Sequence, residues 1–123
     1  MAYAALLWAF LACLVLQVYL AGMGFFDADS DFGLHRDFGY LIGLVPLLGL
    51  ISGAIGRIGR PAIWWALLLA VLAVVVQPSL PSLSEGFPLV AALHPLGAVA
   101  LVVLTLKLGL DARHALKKQE AVA

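Results

Sequence analysis

Charge is what this chain has least of. Asp, Glu, Lys and Arg make up 11% of its 123 residues, against about a quarter in a soluble domain, too few to face water on all sides. Seven basic and seven acidic residues cancel, which removes any electrostatic argument for nucleic acid as a partner. Cysteine is nearly absent. Cys13 alone, inside an apolar run, excludes an internal disulfide and a thiolate metal cluster. No basic segment or cleavage site accompanies the first apolar stretch, which is also too long for a cleavable signal peptide. P-loop, HExxH and nucleophile–base patterns are missing. No Asp or Glu stands in the middle of an apolar run, which argues against a proton-coupled pump or small multidrug exporter.

What the chain does have is apolar length, with 64% of its residues hydrophobic. About 20 apolar residues in a helix cross ~30 Å of hydrocarbon, and four segments qualify: 4–26, 31–55, 61–80 and 88–110. Between them lie Asp27 to Asp31, Gly56 to Pro61 and Gln77 to Pro88, rich in turn residues. Strands are excluded because the runs are long and do not alternate. Such short connections make neighbours antiparallel. The expected fold is therefore an all-α, integral membrane up-down-up-down four-helix bundle, one domain over 1–123 embedded in the lipid bilayer, with a tail at 111–123.

Charge placement sets an expected orientation. Asp27, Asp29, Asp31, Arg36 and Asp37 cluster at the first connection, while Arg57, Arg60, Arg113, Lys117 and Lys118 lie at the second and in the tail. The positive-inside rule then puts both termini in the cytoplasm and the acidic loop outside. Trp8, Trp64 and Trp65 fall near the inner interface, Phe25, Phe26 and Phe87 near the outer one, and Lys107 snorkels inward.

Polar side chains within hydrocarbon are costly and read as functional by default. They are Gln17, His35, Ser52, Gln77, His94 and Thr105. Ser52 and Thr105 are expected to bond to their own helix backbone. The other four all fall in the outer half. Gln17 lies roughly 13 Å below the outer end, and the depths of His35 and His94 differ by about 3 Å. The histidines are on the second and fourth helices, diagonal partners about 14 Å apart between axes. Two imidazoles pointing inward across that gap leave room for an iron, with a flat macrocycle edge-on to the other helices. Small residues lie beneath both: Gly39, Gly43, Pro46 and Gly53 below His35, and Gly97, Ala98 and Leu101 below His94. Gln17, Ala21 and Gly24 form a similar face on the first helix. Bis-histidine b-type haem requires such an arrangement.

The plainer reading is that the glycines let helices approach closely and that each histidine is a hydrogen-bonded interface residue. Helix N-termini near both histidines favour the neutral, ligating imidazole. Arg36, beside His35, is placed to meet a haem propionate or a lipid headgroup. Pro95 removes a helical hydrogen bond after His94, so the fourth helix should kink or restart there. Gln17 and Gln77 are candidates to support the ligands, with nothing in the sequence to assign them. Leu34-His35 with Gly39 and Leu93-His94 with Gly97 and Ala98 share a pattern, too little to establish a repeat. The acidic loop has Phe32 and Phe38 where an EF-hand has Gly and Glu, so it reads as solvated. Ser30 or Asp31 is the expected cap of the second helix, and His114 belongs to the exposed tail.

At Leu34-His35-Arg36-Asp37-Phe38-Gly39 and Ala92-Leu93-His94-Pro95-Leu96-Gly97-Ala98 the chain resembles one four-helix half of the haem A synthase family. In that family a His-Arg-x-x-Gly motif opens the second helix of each half, and a histidine lies near the outer end of the fourth. The resemblance implies a b-type haem held by His35 and His94 towards the outer face, and a homodimer. The chain also resembles a family of small four-span prokaryotic membrane proteins with Gln-x-x-x-Ala-Gly in the first helix, here Gln17 to Gly22. This resemblance implies a prokaryotic cell membrane. Two differences set it apart from the synthase: Phe32 replaces a Glu three residues before the histidine, and the outer loop has no cysteine pair.

The expectation is a small membrane b-type cytochrome. His35 and His94 are its axial metal ligands; Arg36, Gly39, Gly43, Gly97 and Gln17 line the haem b. Its partner in electron transfer or haem handling is a quinol or redox protein. The alternatives are a cofactor-free four-helix scaffold or accessory subunit, and a haem-modifying enzyme of the haem A synthase type.

Overall fold

The computed structural model describes residues 1–27, 29 and 31–122. Its helices are α1 (Ala2–Phe26), α2 (Gly33–Ile55), α3 (Arg60–Ser82) and α4 (Pro88–Glu120), each long and apolar enough to cross a membrane. Among the described residues there is no strand. The expected all-α four-helix fold is the one observed. The bounds differ little from the expected spans, except that α4 runs on to Glu120 instead of ending near Leu110. The last two turns are rich in Ala, Leu, Lys and Gln, good helix formers, and a Lys107–Asp111 pair at 2.6 Å ties one turn to the next.

Local chemistry sets the helix ends. The N-cap of α2 is Phe32, without a side-chain capping bond, and not the expected Asp31, whose carboxylate accepts the Gly33 N–H at 2.8 Å from one residue earlier; Ser30, the other candidate cap, lies outside the described residues. At the end of α2 the Ile58 N–H reaches the Gly53 carbonyl at 3.0 Å and the Arg57 N–H reaches that of Ala54 at 3.1 Å. This double closure puts Arg57 in the left-handed region at φ 55°.

Prolines shape the second half of the chain. α3 widens to a π-turn over Leu72–Val76, where the Gln77 N–H bonds back to the Leu72 carbonyl. Pro78 follows at once, and the wider turn moves its ring away from the carbonyls it would otherwise strike. α4 opens at Pro88, breaks at Ala92 and restarts at Leu93. Pro95 cannot donate to Ala91, so the restart falls where the sequence predicts it.

The helices form a ring in which α1 packs on α2 and α4, and α3 packs on the same two. α2 and α4 are therefore diagonal. The well-packed core is built around Leu7, Phe10, Leu69, Leu101 and Leu108, with Phe10 and Leu69 only 1% exposed. Trp8 lies against Gly109, and Lys107 lies 5.8 Å from the ring centre of Trp65, so these groups share the end that carries both termini. Lipid is as apolar as leucine, so burial from water does not hold this core together; close packing and polar contacts do. Gly43 supplies one such approach, since a Cβ there would stand 3.4 Å from the Ala73 carbonyl of α3. Thr105 departs from expectation: it is 1% exposed, and its hydroxyl has no hydrogen-bond partner.

Candidate functional site

Gln17, His35, Gln77 and His94 gather at the other end of the bundle, near the α1–α2 and α3–α4 connections. Gln17 projects from α1 towards the first turn of α2. There His35 Nδ1 stands 3.0 Å from the Gln17 carbonyl. A carbonyl only accepts, so Nδ1 carries the proton and the neutral ring has its lone pair on Nε2. The Gln17 side chain returns the contact. Its amide nitrogen donates to the His35 carbonyl at 2.6 Å and lies 3.5 Å from His35 Nε2. Gly39, one turn on, makes space for that amide, because a Cβ there would be 2.7 Å from the Gln17 nitrogen.

The α3–α4 pair repeats the device. His94 Nδ1 stands 3.0 Å from the Gln77 carbonyl, again leaving Nε2 with the lone pair. This carbonyl is free for a chemical reason: its helical donor would be residue 81, and Pro81 has no N–H. The Gln77 amide rests on Gly97, where a Cβ would collide with its oxygen. Histidine and glutamine are separated by 18 residues in the first pair and 17 in the second. Each histidine is thus held by the helix before it, and the two pairs face each other across the bundle.

Between them the imidazole centroids are 6.0 Å apart, with planes at 80°. Metal–nitrogen bonds of about 2 Å, with each nitrogen about 1.1 Å from its ring centre, would place two axial imidazoles roughly 6.2 Å apart. The rings meet in a T-shaped arrangement, and the centroid spacing is that of two imidazoles on one metal ion. The clamps suit it too, since ligating histidines characteristically donate their other ring N–H to a carbonyl or carboxylate, which fixes the tautomer. Among the described residues no group of three or more His, Cys, Asp or Glu is placed to hold a metal. Those residues offer no four-coordinate protein zinc site. Two histidines match the number of donors that haem iron takes from a protein, while the Gly39 and Gly97 faces are occupied by the Gln17 and Gln77 amides. The carbonyl oxygens of the Gln17 and Gln77 side chains are both buried without a hydrogen-bond partner, an unusual state for such atoms and a common mark of a ligand or water site.

The sequence-predicted residues separate on this geometry. His35, His94, Gln17, Gly39 and Gly97 come together. Gly39 and Gly97 face glutamine amides, and Gly43 faces the α3 backbone. Arg36 points outward, paired with Asp37 at 2.9 Å. Phe32 lies edge-to-face with His35 at 6.2 Å between centroids. What sequence reasoning missed is the equivalence of Gln77 and Gln17. The signal was a glutamine 17 or 18 residues before each histidine and a glycine three or four after it.

No curated protein and no solved structure matches the chain at a significant level. A family model does match, over residues 17–80, a stretch that opens on Gln17 and contains His35, Gly39 and Gln77 while His94 lies beyond it. The match spans more than half of the sequence, and the chain belongs to DUF6220, a family of unknown function.

Proposed function

We propose that this protein is a small membrane haem protein of the b type, with Nε2 of His35 and Nε2 of His94 as the axial donors. One observation carries the reading: two imidazoles 6.0 Å apart, each with Nδ1–H fixed on a backbone carbonyl of the preceding helix. When bound, the haem supplies one-electron redox chemistry. The residues supply its setting. The carbonyl clamps hold both part-buried rings in one tautomer and make them more basic donors. With both donors protein-derived, electron transfer is the fitting role, and a quinol or a redox protein is the fitting partner.

The test is the visible spectrum of the detergent-purified protein, air-oxidised and then dithionite-reduced, with haem quantified against protein. A sharp reduced α-band, changed or lost in His35→Ala and in His94→Ala, is expected. Absence of absorbance after haem is supplied during expression would overturn the reading. In that case the second reading applies, a cofactor-free scaffold. It is favoured by the seating of the Gln17 and Gln77 amides on Gly39 and Gly97, which closes each helix pair without a cofactor.

A further inference from the structure

The end of the bundle that carries both termini holds a second feature, independent of the haem reading. Of the seven basic residues only Arg36 stands at the histidine end; the other six share the opposite end with two of the seven acidic residues, Asp111 and Glu120. A chain of no net charge is thus split into an end of about +4 and an end of about −4. Lys107 is neutralised by Asp111 at 2.6 Å. Arg57, Arg60, Arg113, Lys117 and Lys118 are exposed and make no ion pair among the described residues. We infer that this end is a docking surface for anionic phospholipid, with Arg57 as its fixed contact to a headgroup phosphate.

Arg57 carries the argument because of where it sits. Among the described residues it is the one non-glycine with a positive φ, 55°. It follows the C-cap Gly56 of α2, where helices ordinarily place glycine. An arginine there costs conformational energy, although Gly56 and Gly59 stand close by in the same turn. What it adds is a guanidinium held in place. The Ile58 N–H closes on the Gly53 carbonyl at 3.0 Å, and the Ile58 side chain rests on Gly53, where a Cβ would collide with it. Arg60 and Arg113 extend the surface at one level: Lys107 lies against Trp65, and about one and a half turns from that contact, along antiparallel helices, lead to both arginines. Arginine grips a phosphate through two N–H groups of its planar fork. Trp64 and Trp65 are 67% and 44% exposed beside them, and such rings settle at headgroup level. A membrane surface meets the rings with apolar matter and the cations with phosphate; a soluble phosphate or an acidic protein surface meets only the cations.

All three tryptophans, Trp8, Trp64 and Trp65, lie at this end, so their fluorescence reads its lipid neighbours whichever way the chain inserts. The full chain is reconstituted in phosphatidylcholine vesicles containing phosphatidylglycerol, with one lipid or the other brominated, and quenching is compared at equal mole fraction. Brominated phosphatidylglycerol should quench more, and its advantage should shrink in high salt. Arg57→Gly should lower the preference up to about fivefold, the weight of one basic residue at an anionic surface. Its unfolding midpoint should hold or rise, because glycine suits the left-handed position. Arg57→Lys should keep the preference. Equal quenching by the two lipids in the wild type, a preference that Arg57→Gly leaves intact, or one that Arg57→Lys loses equally would each overturn the inference. So would loss of the preference on adding inorganic phosphate at constant ionic strength, which would make a soluble phosphate the ligand. If Arg57→Gly does not fold, Arg60→Gln combined with Arg113→Gln decides by the same comparison. The two lipids are compared at one haem content, so this inference and the haem reading fail separately.

Discussion

The α1–α2 and α3–α4 pairs present the same clamp by different means. In the first pair an unbroken helix lends the Gln17 carbonyl to His35 while the amide of the same residue closes on the far side of the ring. In the second pair a π-turn and two prolines disturb α3, and Pro81 leaves the Gln77 carbonyl for His94 alone. The first clamp is built mainly by a side chain, the second mainly by a defect in the backbone. Irregular helix within a membrane is tolerated where a neighbour satisfies the freed groups, and here the neighbour is an imidazole. The same 3.0 Å contact is thus reached by two different routes. That difference is what experiments can break or sharpen.

The largest effect should come from filling the two glycine seats. Gly39→Leu drives a side chain into the Gln17 amide and Gly97→Leu into that of Gln77, and overpacking of this kind costs about 1–3 kcal/mol. Both should also uncouple the histidine from its helix partner and so, on the proposed haem reading, lower haem content. Gly97→Leu should be the worse, because its seat is the tighter. Reversible unfolding in mixed detergent micelles measures the cost. If Gly97→Leu unfolds at the wild-type midpoint, the α3–α4 clamp does not depend on that seat.

How far the sequence reached is visible in this pairing. Four helices, their order and the diagonal placement of His35 and His94 follow from apolar length and short connections, which act through physics common to all membrane helices. The restart after Ala92 was legible in Pro95 for the same reason. The clamp was not. It depends on which carbonyl an imidazole meets across a helix interface, a matter of relative rotation that hydropathy does not carry. Gly39 and Gly97 show the limit most plainly: as small residues beneath a histidine they suit a macrocycle, but the side chains against them are amides. Arg36 likewise lies beside His35 in sequence yet turns to Asp37. The position of Gln77 was hidden because its partner lies across a proline-rich connection, where the spacing slips by one residue.

A smaller effect should separate the two glutamines. Gln17→Leu removes a 2.6 Å bond to the His35 carbonyl and should lower stability by about 1 kcal/mol. Gln77→Leu removes a side chain whose oxygen is buried without a partner. Replacing an unsatisfied acceptor by an apolar group of similar shape is close to neutral or stabilising, so its unfolding midpoint should match or exceed that of the wild type. Equal losses in the two variants would mean that Gln77 makes a bond equivalent to that of Gln17, and the comparison would collapse into true symmetry.

The smallest effect is the most specific. Pro81→Ala returns an N–H to the position that faces the Gln77 carbonyl, so His94 must share its acceptor as His35 already does. In the haem-free protein, the Nδ1 proton of His94 should exchange with solvent more slowly than that of His35, as followed by nitrogen-15 NMR of labelled histidine. The substitution should narrow that gap by less than about tenfold, the scale of a neutral hydrogen bond. At the same time the helix gains a hydrogen bond and loses a proline, so global stability should hold or rise. Local protection of His94 and overall stability therefore move in opposite directions. A merely structural role for Pro81 would move them together, and faster exchange at His94 without any loss of stability is the signature that the proline serves the clamp.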